Sequence, residues 1–199
     1  MFSGIVETIG ILEQITEDGQ NKHFKIKSSI CPEIYIDQSI SHNGVCLTVV
    51  KKSNDDYTVT AIFETLIKSN LGDWKVGELV NLERSLLANS RMDGHFVQGH
   101  VDTHIECIEV EEADGSWYFR FYLPEECNKL VVPKGSICIN GVSLTIAEIN
   151  KETISVAIIP YTYENTNFKN LSPGAKANIE FDILGKYIIN YLDKLNSVV

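Results

Sequence analysis

The stretch ISHNGVCLT, from Ile40 to Thr48, occurs a second time in this chain of 199 residues, as ICINGVSLT from Ile137 to Thr145. Six of the nine residues are identical, at a constant offset of 97. A recurring offset indicates an internal repeat, and therefore two copies of one structural unit. The same offset links three further pairs of identical residues: Thr65 and Thr162, Asn70 and Asn167, and Gly77 and Gly174.

The repeat also covers the start of the chain. Residues 4–7 (GIVE) align with residues 99–102 (GHVD) at an offset of 95, so the loops of the two copies differ in length by two residues. We therefore expect one domain at residues 1–93, a second at 94–185 and a C-terminal segment at 186–199.

Each repeat has the pattern of a β-structure. The stretches GIVETIGILEQI and GHVDTHIECIEV alternate apolar and polar residues, as half-buried strands do. The Asn-Gly pairs between strand-like runs predict tight hairpins. Many short strands at close spacing favour small closed barrels, which leave no exposed sheet edge. Short helical turns are expected at TLIKSN and PEECNKLV.

The stretch DILGKYIINYLDKL, residues 182–195, has a helical pattern instead. Leu184, Ile188, Tyr191 and Leu195 recur at spacings of four, three and four, which places them in one apolar stripe. Such a stripe could dock on its own domain or pack against copies of itself.

Composition and charge exclude several classes of partner. The chain is 44% hydrophobic and 22% charged, with a formal net charge of −10. This charge repels phosphate backbones and anionic lipid, so we expect no nucleic acid and no membrane as partners. The N-terminus lacks the basic region and apolar core of a secretory signal, and we expect a cytoplasmic protein. Five cysteines without a CxxC pair argue against a disulfide framework or a structural zinc site.

Both repeats carry a pair of small polar residues. Residues two apart in a strand share a face, so Cys46 and Thr48 point away from the apolar row of their strand. Ser143 and Thr145 repeat the pattern. Such groups could satisfy neighbouring strands or backbone atoms. Their recurrence beside an Asn-Gly turn also fits two related small-molecule sites.

Three of the five histidines are clustered, at His95, His100 and His104. If all three lay on one strand, His95 would face away from the other two, and no metal-binding motif is present. We therefore predict no metal. His100 follows Gly99 directly and could move protons near neutral pH or be a structural histidine.

The motifs MFSGIVETIG, NGVCLTV, ETLIKSNLGDWKVGELVNLER, GHFVQGHVD and INGVSLTI, in this order, resemble the riboflavin synthase family in its duplicated lumazine-binding form. The resemblance covers residues 1–185. It implies a mainly β fold of two similar six-stranded Greek-key barrels, related by internal duplication, plus a C-terminal helix.

The resemblance also implies an activity. Members of this family transfer a four-carbon unit between two molecules of 6,7-dimethyl-8-ribityllumazine, giving riboflavin and 5-amino-6-ribitylamino-uracil. No metal or separate redox cofactor is implied. Family members are homotrimers whose sites lie between barrels of neighbouring subunits, and their C-terminal helices associate at the trimer centre. For the stripe on residues 184–195, this favours trimer packing.

The resemblance implies two pockets. The expected first pocket contains Gly4, Ile5, Val6, Cys46, Leu47, Thr48, Thr60, Ala61, Ile62, Phe63, Glu64 and Thr65. The expected second pocket contains Gly99, His100, Val101, Lys134, Ser143, Leu144, Thr145, Ile159, Pro160, Tyr161, Thr162, Tyr163 and Glu164. Phe2 and Ser39 match positions near the reacting rings, and Asp182 is a supporting polar group. His100 is the candidate for proton transfer, whereas Ser143, Thr145, Cys46 and Thr48 would orient the ring or position a nucleophile.

Some residues depart from the family pattern. Asp93 replaces one of two common glycines, and Asn140 stands where Asp is frequent, which puts an acid–base role there in doubt. Tyr161 and Tyr163 predict a more aromatic pocket wall. Two rival functions are a non-catalytic lumazine- or flavin-binding antenna protein and a metal-dependent hydrolase that uses the histidine cluster.

Overall fold

Each repeat folds into a closed six-stranded antiparallel barrel, in a computed structural model that describes residues 1–196. Barrel one consists of β1 (Thr8–Asp18), β2 (Asn21–Lys27), β3 (Ser39–His42), β4 (Val45–Lys52), β5 (Asp56–Ala61) and β6 (Leu79–Arg84). Barrel two consists of β7 (Thr103–Ala113), β8 (Ser116–Tyr122), β9 (Ser136–Ile139), β10 (Val142–Asn150), β11 (Thr153–Ile158) and β12 (Lys176–Phe181).

The helices lie between and after these strands. Helices α1 (Phe63–Lys68) and α2 (Pro160–Asn165) follow the fifth strand of each barrel, and α3 (Ile183–Asn196) follows barrel two. Short 3-10 helices occur at Cys31–Glu33, Asn70–Asp73, Glu125–Leu130 and Asn167–Asn170. Within residues 1–196, no helix is long and apolar enough to cross a membrane.

The two barrels have the same strand order. Barrel one closes in the order β1-β2-β5-β4-β3-β6 and barrel two in the order β7-β8-β11-β10-β9-β12. This Greek-key order pairs every strand on both sides, so neither barrel exposes a free edge. The predicted duplicated barrels are therefore confirmed.

The Asn-Gly pairs form the expected hairpin turns. Asn43 and Gly44 have φ angles of 47° and 84°, and Asn140 and Gly141 have 46° and 78°. Positive φ at both central residues is the geometry of a type I′ turn, which Asn-Gly adopts most easily. The two turns also touch each other, because a Cβ on Gly44 would lie 3.0 Å from the Gly141 nitrogen. A side chain there would force the barrels apart.

Buried asparagines connect the barrels around these turns. The Asn81 amide side chain donates to the Asn140 carbonyl (2.9 Å), and the Asn178 side chain donates to the Asn43 carbonyl (2.9 Å). The Asn140 side-chain oxygen in turn accepts from the Asn178 backbone N–H (2.8 Å). Asn140 therefore has a structural role, as does its counterpart Asn43.

Two expectations about element boundaries were wrong, and the expected helical turns were confirmed. The strands do not begin at Gly4 and Gly99, because β1 starts at Thr8 and β7 at Thr103. The residues before them leave the sheet to contact the other barrel. The C-terminal helix begins at Ile183 and not at residue 186, and residues 197–199 of the expected segment lie outside the described residues. The helical turns at Thr65–Asn70 and Pro124–Val131 are present within α1 and two 3-10 helices, with shifted ends.

The apolar stripe of α3 does not dock on its own barrel. Leu184, Ile188, Tyr191 and Leu195 are between 49% and 64% exposed. Two ion pairs connect the helix to the preceding part of the chain: Lys186 pairs with Asp102 and Lys129 with Asp193. The expectation that the stripe docks on its own domain is therefore wrong.

Candidate functional site

The residues before each barrel form two short arms that pair with each other. We call residues 2–6 arm one and residues 97–101 arm two. The backbone of Phe2 exchanges hydrogen bonds with that of Val97, at 2.8 and 3.1 Å. The two side chains pack with Cys138 in a fully enclosed cluster between the barrels.

Arm one lies on barrel two. The Ser143 amide donates to the Gly4 carbonyl (2.7 Å), and a Cβ on Gly4 would lie 2.7 Å from the Ser143 Cβ. Gly4 also has a φ of 76°. Glycine is thus required both for the close approach and for the backbone angle. Two residues later, Val6 packs against the core of barrel two.

Arm two lies on barrel one in the same way. The Cys46 amide donates to the Gly99 carbonyl (2.9 Å), and a Cβ on Gly99 would lie 2.5 Å from the Cys46 Cβ. Gly99 has a φ of 80°, and Val101 packs against the core of barrel one.

Each arm lies on the barrel of the other repeat, so the expected composition of the two pockets was wrong. Residues 4–6 belong with Ser143 and not with Cys46, and residues 99–101 belong with Cys46 and not with Ser143. We call the two resulting places the Cys46 half-site (Cys46, Thr48 and arm two) and the Ser143 half-site (Ser143, Thr145, His95 and arm one). Each half-site is therefore built from both repeats.

The predicted orientation of the polar pairs is confirmed in both barrels. Val45, Leu47 and Val49 are buried, whereas Cys46 is half-buried and Thr48 is exposed. In the second copy, Val142 and Ile146 are buried and Thr145 is exposed. The polar residues therefore lie on the outer face of each barrel.

In the Ser143 half-site, a histidine contacts the hydroxyl. The His95 Nδ1 lies 2.6 Å from the Ser143 Oγ. Burial lowers the pKa of His95, and the nearby Asp182 carboxylate opposes this shift. A neutral imidazole in the Nε2–H tautomer can accept the hydroxyl proton of Ser143. His100, by contrast, is exposed, and its backbone N–H donates to Glu180.

A polar cavity lies on the outer face of barrel two, farther along β10 than Thr145. The outer row of Ser143 and Thr145 continues to Ala147, which lines a cavity of about 410 Å³. Lys134, Tyr118 and Ser155 are also in its lining. A smaller cavity of about 220 Å³ occupies the equivalent place on barrel one, lined among others by Val50, His23, Lys25 and Thr58. The charged residues in the lining of the smaller cavity are Lys25 and Lys51, whereas the larger cavity has three glutamates (Glu109, Glu111 and Glu148) beside Lys134 and Arg120.

The segments after the fifth strands border these faces. Thr60 lies near the end of β5, and its hydroxyl is 2.8 Å from His23 Nδ1. Ile62, Phe63, Ile159 and Tyr161 are exposed, between 51% and 74%. Tyr163, however, stacks on Trp117 at 3.8 Å and packs against the core of barrel two. Only Tyr161 is thus free to make the pocket wall more aromatic.

Some predicted substrate-binding residues have buried side chains. Phe2 and Ala61 are 0% exposed, and Leu47 is 6% exposed. Any contact of these residues with a ligand would use backbone atoms. Ser39 pairs with Thr48 across β3 and β4, so it supports the outer face of barrel one.

The three clustered histidines do not lie on one strand, which was the arrangement considered for a metal site. His95 and His100 precede β7, and only His104 lies on it. In residues 1–196, no group of three His, Cys, Asp or Glu side chains is arranged to hold a metal ion.

Sequence reasoning missed two features of the site. The pairing of His95 with Ser143 joins residues 48 apart, and no local pattern announces it. The second feature is a pair of buried carboxylates, Glu83 and Glu180, which accept hydrogen bonds from the arms. A signal for these was present, because the repeated triplets NLE and NIE end at these two residues.

Known proteins match this architecture over nearly its whole length. The profile of the lumazine binding domain family matches residues 3–85 and 98–182. The riboflavin synthase of Bacillus subtilis (strain 168) is 39% identical over 197 residues, which cover 98% of this chain and 92% of that relative. The riboflavin synthase of Schizosaccharomyces pombe is 38% identical over 94% of this chain and 91% of its own. The structure of LumP complexed with riboflavin superposes with a TM-score of 0.86 at 24% identity, covering 91% of this chain and 99% of LumP, which shows a shared fold.

Proposed function

The chain belongs to the lumazine binding domain family, and on this premise we propose that it acts as a riboflavin synthase. It converts two molecules of 6,7-dimethyl-8-ribityllumazine into riboflavin and 5-amino-6-ribitylamino-uracil. The step is the transfer of a four-carbon unit from one lumazine to the other, which makes the protein a transferase in the last step of riboflavin synthesis.

The observation that carries the proposal is that one chain builds the same half-site twice, with different reactive groups. Cys46 and Ser143 occupy equivalent positions, and each lies against a glycine of the opposite arm. The reaction needs two identical substrates in different roles. Two half-sites built from equivalent strands and arms, with unequal chemistry, meet that need.

The Ser143 half-site has the groups for proton transfer. The neutral His95 can take the Ser143 proton, which makes the hydroxyl oxygen more nucleophilic toward C7 of a bound lumazine. The same pair can return the proton when the adduct breaks down. The polar cavity beyond Thr145, bordered by Lys134 and Ser155, suits the hydroxyls of the ribityl chain.

The Cys46 half-site would hold the second lumazine. Thr48 and the half-buried Cys46 would face its ring, and His100 would act beside them, which is supported by the hydrogen bond of the Cys46 amide to Gly99, the residue before His100. In our proposal, His100 removes the proton from the C7 methyl group, which gives a carbanion delocalised into the ring. Positioning two rings face to face can contribute roughly 7–11 kcal/mol, and general acid–base groups add about 10²–10⁴-fold.

We further propose that the active species is a homotrimer. The exposed stripe of Leu184, Ile188, Tyr191 and Leu195 would pack against the same stripe of other copies. Association of subunits would also bring the Cys46 half-site of one subunit to the Ser143 half-site of another. A cytoplasmic location is part of the same proposal.

A product assay tests the proposal. The purified, dialysed protein is incubated with 6,7-dimethyl-8-ribityllumazine and EDTA, and riboflavin is followed by absorbance. We expect turnover that falls by about 10²-fold or more in a Ser143→Ala, His100→Ala variant, whereas the exposed carboxylate variant Glu112→Gln is unaffected. Saturable binding of lumazine without product would instead identify a chromophore-binding protein. Riboflavin formation that EDTA abolishes would show that the reaction requires a metal ion.

A further inference from the structure

Two buried carboxylates occupy equivalent positions on the last strand of each barrel. Glu83 lies on β6 and Glu180 on β12, and they are 4% and 2% exposed. A buried carboxylate is costly unless hydrogen bonds compensate for the lost water. The compensating partners therefore show what each carboxylate does.

The partners are backbone groups of the arms. Glu83 accepts from the Ser3 N–H and hydroxyl with Oε1 (2.6 and 2.8 Å) and from the Gly4 N–H with Oε2 (2.9 Å). Glu180 accepts from the Gln98 N–H with Oε1 (2.6 Å) and from the His100 N–H with Oε2 (2.8 Å). Both oxygens of each carboxylate are used, and each holds the arm of its own repeat.

The opposite side of each arm is fixed by the other barrel. Gly4 receives the Ser143 amide on its carbonyl, and Gly99 receives the Cys46 amide. Each arm is thus held between a carboxylate of its own barrel and a strand of the other barrel. A displacement of the arm at the carboxylate would therefore be transmitted to the strand of the opposite barrel that it contacts.

We propose that Glu83 and Glu180 are positioning residues that act across the barrels: Glu83, in barrel one, sets the geometry of the Ser143 half-site, and Glu180, in barrel two, sets the geometry of the Cys46 half-site. The structural part of this inference is independent of the reaction. Only its consequence for turnover rests on the proposed function.

Neutral amide substitutions test the inference. Glu83→Gln and Glu180→Gln keep the size of the side chain, but the new NH₂ group faces backbone N–H donors and cannot accept from them. Glu17→Gln and Glu112→Gln are matched controls, because they remove exposed carboxylates at equivalent positions of β1 and β7.

Each half-site has its own readout in the ligand-free protein. The alkylation rate of Cys46, which is half-buried whereas the other four cysteines are buried, reports on arm two. The ¹⁵N NMR signal of the His95 ring, which contacts Ser143, reports on arm one. We expect Glu180→Gln to accelerate Cys46 alkylation by about tenfold and to move the His95 signal less than Glu83→Gln does, since the charge-assisted hydrogen bonds are lost at arm two, which touches arm one through the Phe2–Val97 pair. Glu83→Gln should give the larger shift of the His95 signal and the smaller change in the alkylation rate.

Three outcomes would overturn the inference: a larger change in the half-site of the mutated barrel itself, an equal change in both half-sites, or no change. If the amide variants do not fold, Glu83→Asp and Glu180→Asp replace them, because they keep the charge and draw the carboxylate away from the arm. Unfolding of these variants too would make the two residues structural and end the proposal. Turnover should fall in both amide variants on the order of 10²-fold with both controls unaffected. The two readouts could shift in the variants as expected while the wild-type protein makes no riboflavin. In that case the positioning role stands and the proposed function fails.

Discussion

His42 makes barrel one sensitive to acid, and the structure gives the magnitude. Its ring is fully buried, with Nε2 2.8 Å from the Tyr57 hydroxyl and Nδ1 3.0 Å from the Ile40 carbonyl. Burial lowers the pKa of His42 to about 4, whereas an unfolded histidine titrates near 6.5. The unfolded chain therefore binds more protons than the folded one between pH 6.5 and 4. The stability present above pH 6.5 is lost as the pH falls through this window.

The expected loss is about 3 kcal/mol, since each pH unit in the window is worth about 1.4 kcal/mol. Repeat two supplies the comparison, because Ile139 and Ile154 stand where repeat one has His42 and Tyr57. In a His42→Ile, Tyr57→Phe variant this loss should be absent. The buried carboxylates Glu83 and Glu180 also titrate with a raised pKa, but they do so equally in both proteins.

The assay is urea unfolding at matched protein concentration from pH 7 to pH 4. In a Trp117→Phe background, the fluorescence of Trp74 reports on barrel one, where this residue packs on Phe24. The wild type should lose about 3 kcal/mol of free energy of unfolding relative to the double variant. Parallel pH curves for the two proteins would refute the reasoning, as would an NMR titration in which His42 protonates near pH 6.5.

Three other predictions concern the barrel contact, the helix and the cavity. Asn81→Ala leaves the Asn140 carbonyl without its donor and should lower the free energy of unfolding by about 1–3 kcal/mol, whereas the exposed Asn54→Ala should have no effect in the same denaturation experiment. Ile188→Glu places a charge in the exposed stripe of α3 and should convert a trimer to monomers in analytical ultracentrifugation. The same substitution at the exposed Asn190 should leave the mass unchanged. A trimeric mass for Ile188→Glu would show that the stripe is not part of the interface. Lys134→Ala should raise KM for lumazine several-fold with little change in kcat, since Lys134 lines a cavity whose lining does not include His95 or Ser143. A KM equal to that of the exposed control Lys151→Ala would exclude Lys134 from substrate binding.

Much of the fold could be predicted from the chain alone. The offset between residues 40–48 and 137–145 established the duplication, and the alternation of polar and apolar residues placed Cys46 and Thr48 on the outer face of β4. The Asn-Gly pairs set both hairpin turns, because backbone angles of this kind depend on the residues of the turn itself. These features are local or repetitive, so short stretches of sequence contain them.

The composition of the half-sites was decided by the tertiary structure. An offset shows that Gly4 and Gly99 are equivalent, but it does not show which barrel each one touches, and the first assignment of both was wrong. The local pattern of each arm fits its own barrel and the other barrel equally well. Only the assembled pair of barrels places Ser143 against Gly4, Cys46 against Gly99 and His95 against Ser143, because these contacts depend on how the barrels pack and not on the order of residues along the chain.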